Sequence, residues 1–185
     1  DMASKNRGIH TFSVQEATNA ALGRVIKIQP TMTADDNADE DVAFDWTEIP
    51  NASLVNGRAT KLVSLAFLDA DDSGADIEFV FCRGGDVDGT APTAAQGLVD
   101  GTGTGSVAID ISAAETQEIE ICGNVVVTRS EGDYLTAIVA SKYNINLLMQ
   151  PQDNSTSLYV GGIWRSEPAA TGGTGTLDVY FGFEG

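Results

Sequence analysis

Val42-Ala43-Phe44-Asp45-Trp46-Thr47-Glu48-Ile49 alternates apolar and polar side chains until Pro50 stops it. Successive residues of an extended strand point to opposite faces, so a period of two predicts a half-buried strand with Val42, Phe44 and Trp46 on one face. The same period recurs on both sides. Upstream, Arg24-Val25-Ile26-Lys27-Ile28-Gln29 is a short β-rich run closed by Pro30, which has no amide hydrogen for a ladder. Downstream, the runs 59–69 and 76–82 flank Asp71-Asp72-Ser73-Gly74, and Ile77, Phe79 and Phe81 alternate with Glu78 and Val80. Turn residues between two β-rich runs predict a hairpin.

Further strands are predicted at 107–111, 118–128, 134–141, 145–150, 156–165 and 175–183. Residues 84–105 carry Gly, Thr, Asp and Pro and almost no large apolar side chain, the composition of a long surface loop. Helical signals are few: Ser112-Ala113-Ala114-Glu115 matches a capping box, and the Ala-rich stretch 11–22 suits a modest helix or an extended arm. About nine short strands with at most one or two helical turns predict an all-β chain. The expected architecture is an antiparallel sandwich of jelly-roll type, with an up-and-down barrel as the alternative. No long amphipathic helix separates consecutive strands, so a doubly wound α/β fold is excluded. The organisation expected is an N-terminal arm, 1–23, before one β-sandwich domain, 24–185.

The 185 residues include 27 acidic and 10 basic side chains, a formal net charge of -17, with a single histidine. Such a surface repels phosphate backbones and anionic membranes, which argues against nucleic acid and membrane as partners. Hydrophobic residues at 42% and charged ones at 20% are ordinary globular usage, so the acidity does not signal a disordered chain. No apolar run approaches the ~20 residues of a membrane helix. No apolar core follows the basic residues of Asp1–Arg7, so no secretory signal is expected in this chain.

Candidate chemistry is sparse. Asp69, Asp71, Asp72 and Asp76 around Gly74 place hard oxygen ligands as the start of a calcium loop does, yet the twelfth position is Val80 where that loop needs a bidentate Glu. A solvated turn is the main reading, with a weak calcium site as the other, and no further cofactor is expected. The acidic run 35–48 reads as a solvated loop entering a strand, because seven packed carboxylates would repel. Gly101–Gly105 and Thr171–Gly175 lack the Gly-Lys-Ser/Thr ending of a phosphate loop. His10 is the one histidine a nucleophile could use, so no enzyme is expected. Trp46 and Trp164 fall inside alternating patterns, which favours packed positions over sugar-stacking platforms. Cys82 and Cys122 read as two small buried hydrophobes, with a cross-strand disulfide as the alternative.

Several stretches together carry a resemblance: Thr11–Ala21, Val25–Thr31, Glu48–Ala52, Leu68–Gly74 and Ser155–Val160. In this order they resemble small virion proteins of marine tailed bacteriophages, of the jelly-roll capsid decoration, or cement, type. The resemblance implies a non-enzymatic structural protein on the outer surface of a capsid assembled in the host cytoplasm. It also implies the major capsid protein and further copies of itself, as a homotrimer, for partners. On that reading Ile9, Phe12 and Val14 of the N-terminal arm are the partner-binding residues. A carbohydrate-binding sandwich, or a tail or fibre component, with or without calcium, is the alternative.

Overall fold

The computed structural model describes residues 23–33, 40–69, 76–98, 117–129, 138–166 and 176–185. Among the described residues eight strands run in chain order: β1 Arg24–Ile28, β2 Val42–Ile49, β3 Thr60–Asp69, β4 Ile77–Cys82, β5 Ile121–Val127, β6 Ile138–Met149, β7 Leu158–Trp164 and β8 Leu177–Glu184. They form two four-stranded antiparallel sheets, β1-β8-β3-β6 and β2-β7-β4-β5.

The pairing has one rule. β1 pairs with β8, β2 with β7, β3 with β6 and β4 with β5. The chain is thus a long antiparallel ribbon doubled at the β4–β5 connection and wrapped so that, apart from the paired β4 and β5, successive strands alternate between sheets. This is the eight-stranded jelly roll, and it excludes the up-and-down barrel, whose neighbours in sequence would be neighbours in the sheet.

The wrap corrects the hairpin expected over 69–76. β3 pairs with β6 and β8 while β4 pairs with β5 and β7, so the chain crosses from one sheet to the other between them. Turn residues permit a reversal or a crossing equally, and long-range pairing decides which occurs. Two other expectations change. The runs 134–141 and 145–150 merge into the single strand β6, where Asn144 and Asn146 take left-handed backbone angles (φ 58° and 57°) and the register with β3 shifts between Leu62 and Ser64. Asn tolerates that conformation, so the strand continues through an irregularity where a break was expected. In β2, register shifts around Phe44 put Val42 and Trp46 on the outer face and Phe44 on the inner one.

The inner faces make the core. Phe79 of one sheet meets Phe67 and Phe181 of the other at ring-centroid distances of 6.1 Å and 6.5 Å, and Phe44 of its own sheet at 6.1 Å. Leu62, Leu65, Phe81, Val160, Val179 and Phe183 complete the layer, all fully buried. Every side chain of β4 and of β7 is buried, although only alternate residues face this core.

Candidate interaction surfaces

Burial of β4 and β7 on both faces requires a cover on the outside of their sheet, and the β4–β5 connection supplies it. Leu98 packs with Val42, Val80, Ile163 and Trp46 on that outer face. Ile119 packs beside it with Cys82, Tyr159 and Trp46. A 3-10 turn, Ala94–Gln96, holds Leu98 in place. The Trp46 indole N–H donates to the Gln96 carbonyl (2.8 Å), the Leu98 amide donates to Asp45 Oδ1 (2.9 Å), and Gln96 Nε2 donates to Glu118 Oε2 (3.1 Å). Next along, Gln152 clamps the loop at 85–89, its Nε2 donating to the Gly85 carbonyl (2.6 Å) and its Oε1 accepting from the Gly89 amide (2.8 Å). The stretch read as a surface loop is therefore, through Leu98, partly a buried cover. The signal for it was one Leu in a polar segment, matched by Gly161 in an otherwise large-residue strand; the adjacent Gly162 makes room for Phe44 on the core side.

The candidate residues fare as follows. Asp69 ends β3 buried and engaged with a neighbour, and Asp76 Oδ1 already accepts the Arg129 amide at 2.8 Å. Asp71 and Asp72, the arm residues Ile9, Phe12 and Val14, and His10 lie outside the described residues, as do the expected strand 107–111 and the capping box at 112–115. Among the described residues no three His, Cys, Asp or Glu side chains group as metal ligands. Trp164 is buried in the core, and Trp46 is half-buried with its N–H committed, so neither presents a free stacking face.

Cys82 and Cys122 are free thiols, and they lie on opposite faces of their sheet. Cys82 pairs across the ladder with Ile121 and packs outward with Ile119 and Tyr159, whereas Cys122, at the register shift, packs inward on the main core. Burial pushes the Cys82 thiol well above its ordinary range, and burial pushes Cys122 up to about 11 against the pull of Arg83.

Charge follows the topology. The connections β1–β2, β3–β4, β5–β6 and β7–β8 leave and re-enter the sheets at one end, where Asp69 is opposite Ile138 and Leu177, and Ile77 opposite Val127 and Trp164. These connections carry eleven of the 27 acidic residues and two of the 10 basic ones. One of those two, Arg165, pairs with the buried Glu78, which also accepts from Asn124, and reaches Glu40 at 3.8 Å.

The outer face of β1-β8-β3-β6 is different in kind. Its same-face rows, read from register, are Val25, Gly182, Ser64 and Tyr143, then Lys27, Tyr180, Ala66 and Ser141, then Asp178, Leu68 and Val139, and finally Glu184, Lys61 and Leu148. Val25 and Tyr143 are 74% and 70% exposed, and Val139 and Leu148 are exposed too. Its two acids are each matched by a lysine, Lys27 with Asp178 and Lys61 with Glu184, both at 2.7 Å.

The strand order thus defines a jelly-roll protein; outside one sheet β4 and β7 are covered, and outside the other apolar side chains are exposed. No protein-family model matches the chain, and no curated protein does. Solved structures with some likeness include the capsid of Ralstonia phage GP4, at 14% identity over 88% of this chain and 82% of that one, TM-score 0.34. A chain of Desmodium yellow mottle tymovirus is 12% identical over 88% and 80%, TM-score 0.27. A rhinovirus-B5 chain is 9% identical over 89% and 72%, TM-score 0.32. The jelly-roll assignment rests on this chain's own strand order.

Proposed function

We propose that the chain is a non-enzymatic structural component of a virus particle, a decoration protein that sits outside a tailed-phage capsid and bridges major capsid subunits. The observation that carries this reading is the complete jelly-roll order in a chain whose stretches, from Thr11 to Val160, resemble small phage virion proteins. The physical design is consistent with it. Two sheets locked by interleaved Phe rings give a rigid body, and the acids concentrated on connections keep it soluble. The N-terminal arm, 1–23, with Ile9, Phe12 and Val14, supplies an apolar strap across a neighbouring subunit, and many weak contacts per shell add by multivalency. The resemblance implies three copies about a symmetry axis.

Adding purified chain to capsids that lack it, then imaging them, tests the reading. Stoichiometric density on the outer shell supports it, and removal of residues 1–22 is expected to abolish attachment. Absence from the shell, or density confined to the tail, overturns it.

A further inference from the structure

We infer that the outer face of the β1-β8-β3-β6 sheet is a self-association face on which a second copy of this chain docks. The inference goes beyond the virion reading and is tested in solution without particles, so either can fail alone.

Three observations carry it. First, the two outer faces differ: Leu98 and Ile119 of the β4–β5 connection cover the other sheet over β4 and β7, but Val25, Tyr143, Val139 and Leu148 stand in solvent on this one. Large apolar side chains gathered on one exposed sheet face mark a contact surface. Second, the face is neutral on a chain of net charge -17, since Asp178 and Glu184 are both matched by lysines. A basic partner gains most at the acidic connections and has no electrostatic reason to choose this face. A second copy, repelled by acids elsewhere, meets the least repulsion here.

Third, the row through the middle of the face ends in a large apolar side chain on each edge, so its two ends can pair with each other in a second copy. Gly182 and Ser64 form a low floor, so tight that a Cβ on Gly182 would come within 2.2 Å of Ser64 Oγ, and Val25 and Tyr143 stand at either end of the same row. In a two-fold pairing about an axis that runs along the strands through the middle of the face, each copy's Tyr143 lies over the other's Val25, the reciprocal contact that an isologous interface requires. Four strands ~4.8 Å apart and about eight residues long at ~3.4 Å each give a plan of roughly 500 Å². That is smaller than the ~800 Å² per partner of a standard interface, so the pairing expected is micromolar and concentration-dependent.

Sedimentation velocity of the full chain from about 1 to about 200 μM is the test, at roughly 0.05 and 0.5 M NaCl. The result expected is a monomer–dimer equilibrium that tightens with salt, because screening removes net-charge repulsion while apolar burial persists. Tyr143→Ser and Val25→Ser should each weaken it about tenfold or more, with circular dichroism unchanged. Leu54→Ser, an exposed apolar residue off this face, should not. A monomer throughout overturns the inference. So does an oligomer indifferent to the two variants, association that weakens with salt, or pairing that appears only when residues 1–22 are removed, which would mean the chain's own N-terminus covers the face.

Discussion

Leu98 lies directly on the backbone of Gly161: a Cβ added at 161 would come within 2.2 Å of Leu98 Cδ1. The contact joins the β4–β5 connection to the middle of β7, and it explains why a strand that faces the core on alternate residues is buried at all seven. Gly161→Ala is expected to lift Leu98 and cost about 1–3 kcal/mol by overpacking. Leu98→Ala should cost about 2–5 kcal/mol by leaving a cavity. Urea midpoints measure both, and a red shift of Trp46 fluorescence should accompany them. Midpoints equal to wild type would show that the cover contributes nothing.

Arg165 and Glu78 form a pair at the acidic end, and Glu78 is buried. Arg165→Met leaves that carboxylate with Asn124 alone, and breaking a buried pair from one side costs about 3 kcal/mol. Adding Glu78→Gln removes the stranded charge, so the double variant should be more stable than Arg165→Met. A double variant no better than the single one would mean that the pair is solvated and energetically minor.

Alkali should destabilise the fold. The thiols of Cys82 and Cys122 are raised from an ordinary value of 9.0, Cys122 to about 11, and the Tyr159 hydroxyl is raised too, in each case chiefly by burial. Below pH 9 these groups are neutral in folded and unfolded chains alike. Between 9 and 11 the unfolded chain releases thiol protons that the folded one retains, so stability falls as pH rises. Melting temperatures across that window should drop, and less steeply in Cys122→Ser, whose hydroxyl does not titrate there. The same burial should make both thiols slow to alkylate at pH 8 until denaturant is added, because the thiolate is the reactive form.

Gln152 bridges Gly85 and Gly89, so Gln152→Ala strands the buried Gly85 carbonyl, while the Gly89 amide, on an exposed residue, turns to water. Each unsatisfied buried group costs about 1–3 kcal/mol. Because the loss is local, limited proteolysis should cut within 84–91 sooner than in the wild type, ahead of global unfolding. An unchanged cleavage pattern would show that the loop is held by other contacts, such as Asn154 on Asp88 (2.7 Å).

The sequence by itself determined the class. Period-two runs at 24–29, 42–49, 59–69 and 76–82 became β1 to β4 within a residue or two, because side-chain alternation is a local property of an extended backbone. It also settled the acidity and located it between strands. Of the candidate site residues, only Asp69 and Asp76 fall within the described structure: Asp69 is buried at the end of β3, and Asp76 accepts the Arg129 amide. Tertiary structure alone decided which strands pair, since alternation marks faces but carries no information about partners distant in sequence. It turned the expected hairpin at 69–76 into a crossing between sheets, gave Cys82 and Cys122 opposite faces through one register shift, and buried Gln96 and Leu98 at the end of a largely exposed loop as a cover. It also buried the outside of β4 and β7 and left apolar side chains exposed on the outside of the other sheet, because that outcome depends on where residues of the β4–β5 connection come to rest, and only long-range packing, Leu98 on Gly161, fixes it.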